Sequence, residues 1–291
     1  MSTAITSIQI DEARKRISTA YDPQVVRNAG QRLIQLLADH LQRVQGGEGA
    51  VLPWHDPRKN ALDAATMLKA APQGDVDQQR LVDHFEKIVA TMLRRGQNLH
   101  NPRYICNQVP ASVPLGGLFD AVGSTTNQPM AIYEMGPWAT AAEMAMVDQL
   151  GQRIGWQVGT FSGLTTHGGS LANLTALLTA RNVSLGDSWE RGLSRGSGPP
   201  VIITQADAHY SVGRSAGVLG IGTDQVVRVG LDSARRMDPN QLEEIIVQLR
   251  QQGRRIVAVV ACSCATPIGA FDPLPEIAEI CETHEVWLHV D

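Results

Sequence analysis

Four short stretches carry residue types that could bind or transform a small molecule, and each stands where an apolar run gives way to polar residues. The first, Gly163–Asn173 (GLTTHGGSLAN), joins a pair of glycines to a serine. Glycines let backbone approach a ligand closely, and N–H groups at a helix start favour an anion. No lysine follows the pair, so this is not the phosphate loop of nucleotide hydrolases. Strand-to-helix punctuation with Ser170 as N-cap is the plainer reading of the same residues. The second stretch, Thr204–Ser211 (TQADAHYS), sets His209 ahead of a helix-forming run. An imidazole there could stack on a planar ligand or move protons near neutrality, or simply cap the helix. In the third, Ala261–Gly269 (ACSCATPIG), Thr266 leaves an apolar run just before a proline. Its hydroxyl could touch a ligand or serve the turn. The fourth is His289-Val290-Asp291. A carboxylate closing a buried run needs a partner, because an unpaired buried charge is costly. A pyridinium nitrogen, a metal or an ordinary ion pair would each serve.

These residues need a frame that brings them together. Apolar β-branched runs at Val201–Thr204, Val226–Val229, Ile256–Ala261 and Val286–Val290 read as strands. Helical segments near 170–182, 211–219, 239–251 and 274–283 alternate with them, and 137–154 precedes them. That alternation predicts an α/β fold, a mostly parallel sheet with helices on both faces. In such sheets ligands bind outside the carboxyl ends of the strands, where the four stretches lie. A short apolar stretch at Val158–Phe161 leads into the first of them, and Gly192–Pro200 reads as a loop.

The first hundred residues have a different rhythm. Residues 23–44 put Val26, Leu33, Leu37, Leu41 and Val44 at helical spacing, and 79–95 do the same with Val82, Phe85 and Val89. Between them 46–60, rich in Gly and Pro, read as an extended arm. Two helices and an arm make a weak core alone, so this segment is expected to pack on something else.

Composition narrows the classes further. The chain has 291 residues, 43% hydrophobic and 19% charged, with net charge −4. This excludes a disordered chain and gives no support for a nucleic-acid or anionic-membrane partner. No apolar run approaches the roughly 20 residues of a membrane helix. The N-terminus lacks a basic start followed by an apolar stretch, so a cytoplasmic protein is expected. Cys106, Cys262, Cys264 and Cys281 do not form a disulfide framework, and Cys262-Ser263-Cys264 reads as strand packing, with no metal site expected. Only Lys15, Lys59, Lys69 and Lys87 are lysines, so lysine chemistry is excluded from residues 88–291. Arginine cannot replace it, because its guanidinium stays protonated.

Taken in order, the motifs over 101–291 resemble the group II pyridoxal-phosphate-dependent amino-acid decarboxylases, of the aspartate-aminotransferase-like fold called fold type I. Asn101-Pro102-Arg103-Tyr104 is similar to the family's HPR-plus-aromatic lead-in, with Asn101 replacing its His. Thr126–Gln128 through Tyr133–Pro137 look like its substrate-side segment. Thr166–Asn173 resembles TSGGSxAN, with His167 replacing a Ser, and Ala208–Ser211 resembles AHFS. Ala265-Thr266 with Gly269–Pro273 resembles GTTxxGAFDP, and Leu288–Asp291 resembles LHVD.

The resemblance implies pyridoxal 5'-phosphate as cofactor and decarboxylation of an L-amino acid to its amine and carbon dioxide. It implies that Gly168, Gly169 and Ser170 hold the phosphate and that His209 stacks on the ring and helps orient the substrate carboxylate. Thr266 would lie near the cofactor, and Asp291 would pair with the pyridinium nitrogen. Asn107, Gln108 and Asn127 are candidates beside the substrate. It divides the chain into a helical dimerisation segment, 1–100, and a cofactor-binding large domain, 101–291, of a homodimer. In this family the Schiff-base lysine follows the LHVD aspartate, so the chain reads as incomplete at its C-terminus and inactive alone. The look of 128–137 is closest to bacterial members acting on small polar or basic amino acids, such as 2,4-diaminobutyrate. The alternatives are a non-catalytic scaffold that keeps the pocket, or another fold-type-I activity such as an aminotransferase or lyase.

Overall fold

The computed structural model describes residues 7–69, 77–105, 108–193 and 198–291. The chain divides into two compact units, Met1–Thr126 and Asn127–Asp291.

The first unit is helical: α1 (Ser7–Ala20), α2 (Pro23–Gln45), α3 (Pro57–Lys69), α4 (Gln78–Arg95) and α5 (Pro114–Thr126). Aspartates start two of these helices by accepting orphan N–H groups, Asp22 from Gln24 (2.8 Å) and Asp77 from Arg80 (2.8 Å). The predicted arm of 46–60 ends earlier than expected. Asp56 accepts the N–H of Lys59 at 2.9 Å, and Pro57 has a φ already suited to a first turn, so α3 begins inside it. What remains extended is tied down by Arg103, which donates to the carbonyls of Gly47 (2.9 Å) and Gly49 (2.7 Å). α1, α3 and α5 were not anticipated from periodicity, and α3 and α5 have no buried residue. α2 packs on α4, and Val25, Val44 and Val82 are the buried apolar side chains described in this unit.

The second unit opens with α6 (Pro137–Arg153) and α7 (Gly169–Leu185), then the single turn α8 (Ser188–Arg191). There follow β1 (Val201–Gln205), α9 (Tyr210–Val218), β2 (Val226–Val229), α10 (Pro239–Gln251), β3 (Ile256–Ala261), α11 (Leu274–Thr283) and β4 (Leu288–Val290). The stretch around Val158–Phe161 is a turn, because Gly159 has φ +87° and reverses the chain. β4 is shorter than the apolar run that predicts it, starting at Leu288.

All strand pairs are parallel, in the order β2-β1-β3-β4. Side chains alternate across the sheet, so neighbours on β1 feed different cores. Ile202 joins Leu177 of α7 and Val212 and Ala216 of α9 on one face. Val201 and Ile203 join Leu242 and Ile246 of α10 and Ile277 of α11 on the other. From β1 the chain runs out to β2 over the first face, then returns past β1 to β3 over the second. The crevice between the carboxyl ends of β1 and β3 is therefore a switch point, where an open α/β sheet receives its ligand.

Candidate functional site

Around that crevice the structure assembles the ends of β1, β3 and β4 with the N-termini of α7 and α9. A buried carboxylate holds the strand ends. Asp272 is 4% exposed and accepts the backbone N–H of Cys262 after β3 (2.7 Å), that of Met237 ahead of α10 (2.7 Å) and the side-chain amide of Gln205, the last residue of β1 (3.2 Å). Three donors satisfy a charge that forms no ion pair among the described residues, as burial requires. Cys262, next to this carboxylate, has its thiol pushed up to about 11, by burial first and then by Asp291 and Asp272. It stays a thiol and packs.

The N-terminus of α7 lies open. Its N-cap is Gly168, at φ +90°, with no side-chain capping bond, so Ser170 is a residue of the first turn rather than the cap. The N–H groups of Leu171 and Ala172 bond to the carbonyl of Gly168 (3.1 and 3.2 Å). Those of Gly169 and Ser170 precede any intrahelical partner and point outward with the helix dipole. A methyl group added at Gly168 or Gly169 would meet nothing within 4 Å, so there is room at this end for an anionic group. The lead-in is fixed by Glu143 of α6, which accepts from the backbone N–H (2.8 Å) and hydroxyl (2.6 Å) of Thr165. These two bonds, the hydroxyl's first, hold the Glu143 carboxyl below its ordinary range.

His209 is the N-cap of α9. Its Nδ1 accepts from the N–H of Ser211 at 3.3 Å, so the capping expectation holds, yet Nε2 has no partner among the described residues. Tyr210 follows with its ring centroid 4.1 Å from the imidazole, and Arg214 lies over the tyrosine ring at 4.6 Å. A cavity of about 310 Å³ opens beside His209, lined also by Thr204, Arg214, Thr223 and Arg228. A larger concavity, about 930 Å³, lies in the first unit around His40, Arg43 and Arg94. It has no strand end or open helix N-terminus, so size alone does not locate the chemistry.

Asp291 continues β4, its backbone N–H bonded to the carbonyl of Ala261 and its carbonyl to the N–H of Ser263, both 2.8 Å. Its carboxylate is half-buried and forms no ion pair among the described residues, which leaves the ordinary-ion-pair alternative without a cation. Two residues earlier, on the same face of the strand, His289 reaches Asn173 of α7 at 2.8 Å. Asn173 donates to Ser211 at 2.9 Å, and Ser211 meets His209 at 2.7 Å. The start of α7, the start of α9 and the end of β4 are thus one connected structure.

The remaining predicted residues are less integrated. Thr266 is exposed in the turn after β3, where Gly269, at φ +68°, donates to the carbonyl of Ala265 at 2.7 Å. Asn127 opens the second unit and Gln108 belongs to the first; both are exposed with positive φ, +47° and +50°. Asn107 and Cys106 lie outside the described residues. Sequence reasoning gave no role to Asn173, Ser211, Asp272 or His289. The signal available was their position inside the motifs, as polar residues where the flanking pattern calls for apolar ones.

Residues 62–291 match the family described as the pyridoxal-dependent decarboxylase conserved domain. The chain is 41% identical over 165 residues to a human acidic amino acid decarboxylase, covering 57% of this chain and 31% of that protein. It is 30% identical over 277 residues to human cysteine sulfinic acid decarboxylase, covering 94% and 54%. The crystal structure of mouse CSAD superposes with a TM-score of 0.79 at 27% identity, over 93% of this chain and 55% of that one. The glutamate decarboxylase domain of a diaminobutyrate-pyruvate transaminase and L-2,4-diaminobutyrate decarboxylase from Vibrio parahaemolyticus has the same fold, with a TM-score of 0.75 at 20% identity, over 100% and 59%. The chain spans roughly a third to a half of the length of the curated relatives it matches.

Proposed function

The chain belongs to the pyridoxal-dependent decarboxylase family, and on that premise we propose that its second unit binds pyridoxal 5'-phosphate for the decarboxylation of an L-amino acid. What carries the proposal is the Asp291 carboxylate, half-buried at the strand ends with no ion pair among the described residues and joined through His289 and Asn173 to the open start of α7. A phosphate and a protonated pyridine nitrogen complement those two features.

In this reading Gly169 and Ser170 donate their backbone N–H groups, and Ser170 its hydroxyl, to the phosphate, with Gly168 keeping the approach clear. His209 lies against the ring and offers Nε2 toward the substrate carboxylate. Asp291 accepts from the pyridine N–H and keeps that proton in place, because a neighbouring carboxylate favours the protonated form. Pyridoxal phosphate, when bound, supplies the electron sink that stabilises the charge left as carbon dioxide departs. Thr266 contributes a hydroxyl beside the cofactor. Substrate roles for Asn107, Gln108 and Asn127 rest on the family resemblance alone. Residues 88–291 contain no lysine, so the contacts made by this unit are non-covalent.

The substrate class follows the named relatives. Those with 30–41% identity act on acidic amino acids or cysteine sulfinate, which extends the expectation of a small polar or basic side chain to short acidic ones. Homodimerisation through the first unit and a cytoplasmic setting belong to the same proposal. No described helix is long and apolar enough to cross a membrane.

Titration of the chain with pyridoxal phosphate, followed by absorbance and tryptophan quenching, tests the reading. Saturable binding weakened by Asp291→Ala and by His209→Ala is expected; binding indifferent to both substitutions overturns it. With the whole protein, carbon dioxide release from carboxyl-labelled aspartate, cysteine sulfinate, glutamate and 2,4-diaminobutyrate ranks the substrates. Amino transfer without carbon dioxide release would favour an aminotransferase instead.

A further inference from the structure

The hydrogen bonds joining His289, Asn173, Ser211 and His209 have a direction that can be derived from one fixed donor. The backbone N–H of Ser211 can only donate, and it meets Nδ1 of His209 at 3.3 Å. Nδ1 therefore presents its lone pair, and the ring proton resides on Nε2. The Ser211 hydroxyl, 2.7 Å from the same Nδ1, must turn its own proton toward it. That leaves the hydroxyl oxygen to accept, and the Asn173 amide nitrogen donates to it at 2.9 Å. The amide oxygen of Asn173 is then an acceptor, and His289 Nε2 at 2.8 Å must carry a proton and donate. Every bond in the chain points from β4 toward His209.

The two middle members are enclosed: Asn173 is 4% exposed and Ser211 1%. Water cannot substitute for a missing member there, and a reversed amide would set donor against donor at His289 and acceptor against acceptor at Ser211. Burial also holds His289 below its ordinary imidazole range, in keeping with a neutral ring that donates from Nε2.

We propose that Asn173, Ser211 and His289 are positioning residues: they form a one-way relay that holds the His209 ring in place as the Nε2–H tautomer, so that Nε2 always donates toward the ligand. This rests on the cofactor-site reading for what His209 faces, but the tautomer itself does not depend on it.

The test uses the full chain labelled with 15N-histidine, with the His209 signals identified by their loss in His209→Gln. The expected wild-type spectrum has a pyridine-like Nδ1 and a pyrrole-like Nε2. Ser211→Ala should shift both nitrogens toward averaged values, leaving only the longer backbone bond. Asn173→Asp should go further toward the opposite pattern, with only the backbone N–H of Ser211 opposing it. A carboxylate accepts from the Ser211 hydroxyl, whose oxygen then accepts from a protonated Nδ1. Far-UV circular dichroism identifies any variant that fails to fold, and Ser211→Cys, with its weaker donor, then replaces Ser211→Ala. Pyridoxal phosphate affinity, measured on the same samples, should weaken roughly two- to tenfold in Ser211→Ala, the effect of one neutral hydrogen bond. Unchanged 15N shifts in the folded variants overturn the relay. Moved shifts with unchanged affinity overturn its positioning role. Failure of the wild type to bind pyridoxal phosphate, with the tautomer as stated, overturns the cofactor reading and leaves the relay standing.

Discussion

The two units are built from helices of similar length and capping, yet they differ in what those helices close upon. In the second unit α7 and α9 on one face, and α10 and α11 on the other, close on a parallel sheet and bury Leu177, Ile203, Leu242 and Ile246 completely. In the first, the apolar faces of α2 and α4 meet over Val25, Val44 and Val82, while Tyr21 is 83% exposed and Phe119 73%. Its described ion pairs between helices, Arg32 with Asp83 and Glu86 and Arg95 with Asp63, lie at or near the surface. Exposed ion pairs are screened and contribute little, whereas each buried apolar side chain contributes about 1.5–3 kcal/mol. Caps and periodicity suffice to make a helix; a closed apolar layer is what makes a unit stable by itself.

The sharpest challenge to this comparison is a polar one. Asp272→Ala would leave two backbone N–H groups and an amide buried without an acceptor, and urea unfolding should register a loss of roughly 3 kcal/mol or more. A loss near zero would mean that water enters the strand ends and that they are not held from within. Next in size, Ile203→Ala should cost about 2–5 kcal/mol, because the sheet between two helical layers cannot collapse into the cavity. Val82→Ala in α4 should cost clearly less, and equal losses from the two would erase the contrast between the units.

Acidification should affect each unit through one histidine. Burial depresses His289, an effect that Asp291 opposes, and burial, then Arg43 and His100, depress His40. Unfolded chains take up the proton first as pH falls through about 6.5, so stability should fall from there until the depressed folded pKa is reached. Urea midpoints at about pH 7 and about pH 5.5 should converge for His289→Gln in the second unit's transition. They should remain apart if the group responsible lies elsewhere. At the small end, Arg32→Ala should change the unfolding midpoint by less than can be resolved.

The same contrast explains what could be read from the sequence. Val201–Thr204 and Ile256–Ala261 stand out because a parallel strand buried on both faces has no polar alternation. Asp238 ahead of Pro239, capping α10 at 3.0 Å from the N–H of Asn240, marks a helix start by local chemistry. α3 and α5 lack a buried stripe, so no periodicity announces them. Gly168, Gly169, His209 and Asp291 were legible as candidates because special residues sit where runs end, although their ligand roles rest on resemblance. Asn173, Ser211 and Asp272 were not, because their meaning comes from partners 38, 67 and 116 residues away. No local spacing encodes a contact of that range.

The Asp272 clamp has a thermodynamic corollary. The ends of β1 and β3 and the entry to α10 are ordered by the chain's own hydrogen bonds, so a ligand arriving in the crevice finds its floor already assembled. Little binding free energy is then diverted into ordering backbone. Calorimetry should accordingly record a heat-capacity change commensurate with the ligand's own apolar surface, without the large negative contribution that accompanies folding coupled to association.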